Sequence, residues 1–143
     1  MGSNLVLDYK SVLFREGEKA TKLYLLKSGE VLCLKSSKGR LIPVFSARAG
    51  DIVGESSMIA KSYYTYSAIT LDRTELIEIP AETFEEILTS APEWVGDLAS
   101  NMIDRFHKTS NLVAENRLVH SSIISEEAFT SAVEIEFKNL LSQ

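Results

Sequence analysis

The residues best equipped for chemistry are Gly50-Asp51-Ile52-Val53-Gly54-Glu55-Ser56-Ser57. Two glycines bracket a short apolar run, a carboxylate follows the second glycine, and two hydroxyls follow the carboxylate. Gly54 has no Cβ, so the backbone there can turn sharply or approach a ligand closely. Glu55-Ser56-Ser57 reads as the first turn of a short helix over 56–61. The free N–H groups of such a turn hold anions, and the helix dipole favours them. Glu55 would repel a phosphate but suits a sugar hydroxyl beside one. The pattern suggests a sugar-phosphate site, although a structural glycine turn before a helix fits the same residues. Tyr63-Tyr64-Thr65-Tyr66 follows closely.

No other constellation competes. There is no nucleophile–base pair, metal-ligand cluster or triad, and His107 and His120 read as isolated positions in helical stretches. The expectation is a chain that is not an enzyme and holds no metal or cofactor. The formal charge of −5 over 143 residues gives no electrostatic footprint for nucleic acid. Cys33 is the one cysteine, which excludes an internal disulfide and fits a reducing, cytoplasmic setting. No apolar run approaches the length of a membrane span, so no membrane partner is expected.

The elements that must position the site are strands first, then helices. Val12-Leu13-Phe14, Leu23 to Leu26, Val31 to Leu34, Leu41 to Phe45, Tyr66 to Leu71 and Glu75 to Ile79 are short apolar runs separated by turn residues. That spacing indicates a sandwich or barrel. Pro43 places its strand at a sheet edge or a bulge. A short helix spans 81–88, and Pro92 opens a long helix over 93–119. Val95, Ala99, Met102, Phe106, Thr109, Val113 and Asn116 step by four and three residues, a heptad seam suited to a second copy. A last helix over 125–141 gathers Phe129, Val133, Phe137, Leu140 and Leu141 on one face. Such a face is expected to fold back on the dimer as a closing element.

On these residues the chain resembles the cyclic-nucleotide-binding domains of the bacterial catabolite activator and of the regulatory subunits of cyclic-AMP-dependent kinase. The resemblance covers 8–119 and rests on Phe14 and Gly17, on Tyr24-Leu25-Leu26-Lys27-Ser28-Gly29 and on Gly50 to Glu55. It implies a mainly β fold with C-terminal helices: a jelly-roll-like β-roll over 8–91, a dimerisation helix over 92–119 and a helical appendage over 120–143. It also implies roles. Gly54 and Glu55 would belong to a phosphate-binding cassette, with Glu55 on the ribose 2′-hydroxyl and the N–H groups of Ser56 and Ser57 on the phosphate of cyclic AMP or cyclic GMP. Thr65 would assist, and Thr109-Ser110 would read the base, one residue reaching across the homodimer.

Departures from the family pattern are specific. The phosphate-neutralising arginine falls on Tyr64, Ser56 stands where a large aliphatic residue is usual, and Val53 where phenylalanine is usual. Arginine offers a charged fork of donors and tyrosine one neutral hydroxyl. Lys61 could reach in from the short helix, where a solvated lysine is the plainer reading. Weak or absent nucleotide binding is therefore expected. Only 24 residues follow Val119, and they lack a recognition helix, so this chain is not expected to bind DNA. Two readings stand: a dimeric ligand-sensing regulatory domain, or a degenerate member serving as a protein-interaction module or as the sensor part of a longer transcription factor.

Overall fold

The computed structural model describes residues 2–58, 62–115, 124 and 128–143, with only the backbone at 57 and 58. Its strands are β1 (Ser3–Leu7), β2 (Val12–Phe14), β3 (Lys22–Ser28), β4 (Val31–Ser37), β5 (Arg40–Ala47), β6 (Ile52–Val53), β7 (Ser67–Thr70) and β8 (Thr74–Pro80). A 3-10 turn, Glu55–Met58, follows β6, and the helices among the described residues are α1 (Ala81–Ser90), α2 (Glu93–Glu115) and α3 (Ser131–Leu141). The strands form two antiparallel four-stranded sheets, ordered β1-β8-β3-β6 and β2-β7-β4-β5. This is the mainly β roll with C-terminal helices that the turn residues and the resemblance imply.

Strand β4 explains why its alternation is weak in sequence. Val31 and Cys33 face the core between the sheets, while Leu32 and Leu34 face a second cluster on the outer side. A strand buried on both faces reads as a continuous apolar run. Pro43 satisfies both of its expected placements. Strand β5 is the edge of its sheet, and the register against β4 jumps between Phe45 and Pro43. Gly29 makes the β3–β4 turn at φ +90°, where a Cβ would lie 2.7 Å from the Arg73 carbonyl oxygen.

Strand β1 lies outside the 8–91 span expected from sequence. It is an edge strand paired along β8, and it sends Leu5 and Leu7 towards the core while Val6 stays exposed. An exposed valine between two leucines leaves little alternation to read.

The second cluster is where α3 sits. Phe129, Val133, Phe137, Leu140 and Leu141 pack against Leu32, Leu34, Leu41 and Ile69 on the outer face of the β2-β7-β4-β5 sheet. Thr130 caps the helix by accepting from the Val133 N–H at 3.3 Å. Polar contacts fix its angle. Arg40 clamps Glu134 through Nε and Nη2 at 2.9–3.2 Å, and the Leu41 N–H donates to the same carboxylate at 3.2 Å. Lys10 meets Glu136 at 2.7 Å, and Arg15 Nε donates to the Leu141 carbonyl at 2.9 Å. Asn116, Val119 and His120, like the start of the expected last helix at 125–127, lie outside the described residues.

Helix α2 lies along β4 and β5. Ile103, Ser110 and Ala114 are its buried residues, with Phe106 and Val113 packed on the inter-sheet core. The inner face therefore runs Ala99, Ile103, Phe106, Ser110, Ala114, at helical spacing.

Candidate functional site: a cassette closed from within

Gly54 turns the chain out of β6 at φ +82°. A Cβ there would lie 2.9 Å from the Lys22 carbonyl oxygen, so this close approach requires glycine. Glu55 follows with its side chain turned inward, only 14% exposed. Its Oε2 accepts the Tyr66 hydroxyl at 2.5 Å, and the Tyr66 oxygen accepts the Gly54 N–H at 2.9 Å. Burial pushes the Tyr66 phenol well above the usual tyrosine range. The phenol therefore stays protonated and is the donor in its bond to Glu55.

Among the described residues, Glu55 Oε1 is buried without a hydrogen-bond partner. His107 Nε2, reaching down from α2, stands 3.4 Å from it and 3.4 Å from Ser56 Oγ. Both distances are long for a hydrogen bond. The space that reaches Glu55 is a hollow of about 250 Å³ whose other walls are Ile52, Ala99, Met102, Ile103 and Phe106. Those walls offer no charge to a phosphate.

Tyr64 and Tyr66 flank Thr65 at a bend before β7, and both side chains are buried on one side of the chain. That side is the interior of the roll. Tyr64 stacks on Phe14 with ring centroids 3.9 Å apart, donates its hydroxyl to the Lys22 carbonyl at 2.7 Å and accepts the Lys22 N–H at 3.3 Å. Tyr66 meets the edge of Phe106 at 5.8 Å, and Phe106 meets Phe45 at 5.6 Å. Aromatic rings thus fill the interior beside the cassette. Thr65 keeps a buried hydroxyl without a partner among the described residues, while its carbonyl accepts the Lys35 ammonium.

Of the residues expected at a ligand site, the structure brings together Gly54, Glu55 and Ser56. Tyr64 belongs to the core, with its hydroxyl spent on Lys22. Ser57 has no described side chain, and Lys61 lies outside the described residues. Thr109 is exposed, and Ser110 is buried with its hydroxyl donated to the His107 carbonyl at 3.0 Å.

Sequence reasoning missed Tyr66 and His107. The Tyr64-x-Tyr66 alternation could have pointed to the first. His107 was read as isolated, yet it lies beside the inner face of α2 and meets the cassette. The residues of the expected dimer seam divide between two surroundings. Phe106 serves its own roll, and Val113 packs on the same core. Ala99 and Val95 are half-buried, while Met102 and Thr109 are exposed. The large apolar residues that α2 leaves exposed are Trp94, Leu98, Met102 and Leu112, at 65%, 51%, 63% and 60% exposure.

Glycine turns, roll and cassette define a cyclic-nucleotide-binding architecture. The chain belongs to the cyclic nucleotide-binding domain family, which matches residues 6–91. It is 28% identical over 106 residues to the cAMP-activated global transcriptional regulator CRP of Salmonella typhimurium, a match spanning 73% of this chain and 50% of that protein. The chain thus spans about half the length of the curated relatives it matches. Its fold is similar to that of the Thermus thermophilus catabolite activator protein, with a TM-score of 0.66 and 20% identity over 78% of this chain and 53% of that one. The cAMP-bound regulatory domain of Toxoplasma gondii PKA aligns with a TM-score of 0.58 and 26% identity, covering 60% and 33% of the two chains. Among the described residues no helix is long and apolar enough to cross a membrane.

Proposed function

We propose that this chain is a cytoplasmic regulatory module of the family whose cassette is occupied by its own side chains. In this reading it binds cyclic AMP and cyclic GMP weakly or not at all, performs no catalysis and associates with a second copy through α2. The observation that carries the reading is the Tyr66 hydroxyl on Glu55, the carboxylate that the family pattern assigns to the ribose. Tyr64 in the arginine's place removes the cation that a cyclic phosphate would need. A ligand would have to break a charge-assisted bond, worth about 1.5–3 kcal/mol, and displace packed rings as well.

The exposed face of α2 supports self-association, since Trp94, Leu98 and Met102 form an apolar stripe of the kind that marks interaction sites. The same stripe would serve a different protein partner in the second reading. Sedimentation velocity tests both parts of the proposal. The expected result is a dimer at micromolar concentration whose distribution is unchanged by millimolar cyclic AMP. Leu98→Glu with Met102→Glu is expected to give monomers that keep the roll folded. A wild-type chain that stays monomeric refutes the self-association, and a nucleotide-driven shift refutes the closed cassette.

A further inference from the structure

We propose that His107 is a positioning residue that couples the cassette to α2, a latch across Glu55 and Ser56. The remaining contacts of the inner face of α2 with the roll are chiefly apolar, through Ile103, Phe106 and Ala114. Apolar contacts are non-directional and tolerate sliding. The imidazole is different, because its Nε2 meets two specific atoms on the cassette, Glu55 Oε1 and Ser56 Oγ, each at 3.4 Å.

Its surroundings favour that aim. Ser110 Oγ bonds back to the His107 carbonyl at 3.0 Å, and the Phe106 ring, seated on Phe45 and Tyr66, lies 6.0 Å from the imidazole. Glu55 Oε1 is a buried acceptor that no other described residue satisfies, while Oε2 is taken by Tyr66. An unsatisfied buried acceptor is unfavourable. With its proton on Nε2, His107 satisfies Oε1 by moving a few tenths of an ångström.

A consequence follows for the surface. Any group that claims Glu55, whether a hydroxyl-bearing ligand or a protein segment, must displace His107 and so release α2. The orientation of Trp94, Leu98 and Met102 is then set by what Glu55 holds. The contact exists without nucleotide, so this inference does not depend on the proposed failure to bind one.

Amide hydrogen exchange on the full chain tests the latch through a double-mutant cycle. His107→Leu and Glu55→Ala are each expected to speed exchange across 103–114 by about tenfold, the loss of one hydrogen bond to a charged group. The double variant is expected to exchange no faster than the faster single one. His107→Gln, which keeps an N–H donor, is expected to restore most of the protection. Exchange that multiplies in the double variant, a leucine variant as protected as wild type, or a glutamine variant as loose as leucine would overturn the proposal. Imidazole nitrogen resonances supply a reading with His107 left in place: Glu55→Ala should move the Nε2 signal, and an unmoved signal overturns the latch.

Discussion

Tyr64→Ala is expected to destabilise the chain by about 3–5 kcal/mol, the range for deleting a large buried aromatic side chain. Tyr64 is 6% exposed, stacked on Phe14, and bonded through its hydroxyl to both backbone groups of Lys22. Burial raises its phenol above the usual tyrosine range, consistent with a neutral core group. A residue that merely lined an open ligand site would cost far less to truncate. Denaturant unfolding read by circular dichroism decides the matter. A loss under about 1 kcal/mol, the size of a surface change, would place Tyr64 in an unfilled pocket. Tyr64→Phe, which keeps the stack and loses only the hydroxyl bonds, is expected to cost about 1 kcal/mol.

The other large effect concerns α3. Hydrogen bonds from Arg40 chiefly and from the Leu41 N–H, with the nearby charges of Arg40 and Lys138 assisting, hold the Glu134 carboxyl at about 2, below the usual carboxylate range. A depressed carboxylate stabilises the fold fully above its unfolded value and loses that contribution as pH falls. The contribution of Glu134 should therefore fade between about pH 4.5 and pH 2. Arg40 is half exposed, so solvent screening limits the pair, and Glu134→Ala is expected to cost about 2–3 kcal/mol. Exchange across Ser131–Leu141 should rise well before exchange in the sheets does. The acid sensitivity of α3 should be blunted in Glu134→Gln. A glutamine variant with the wild-type acid profile would assign that sensitivity to another group.

Much of this fold is legible in the chain because backbone constraints leave local marks. The turn at Gly29 and the step out of β6 at Gly54 need positive φ, and Pro43 needs an edge or a shifted register. The apolar face of 129–141 is visible from its spacing alone. The candidate site is legible only as far as Glu55. Side-chain direction decides the rest, and direction depends on what fills the interior. Tyr64 occupies the arginine's place in the chain, yet nothing local says that its ring will stack on Phe14, 50 residues away, rather than face a ligand. The seam on α2 is ambiguous for a related reason. A four-and-three spacing fits both a partner helix and the chain's own roll, and Phe106 found Phe45 and Tyr66 first.

In the proposed reading, Tyr66 and the packed interior stand where a cyclic nucleotide would bind. Isothermal titration of the intact chain with cyclic AMP, and separately with cyclic GMP, tests it most directly. No saturable heat is expected with a dissociation constant below about 100 μM, a binding free energy no stronger than about −5.5 kcal/mol. Sub-micromolar binding of either nucleotide would contradict it, because Glu55 would then have to exchange Tyr66 for a ribose hydroxyl at little cost.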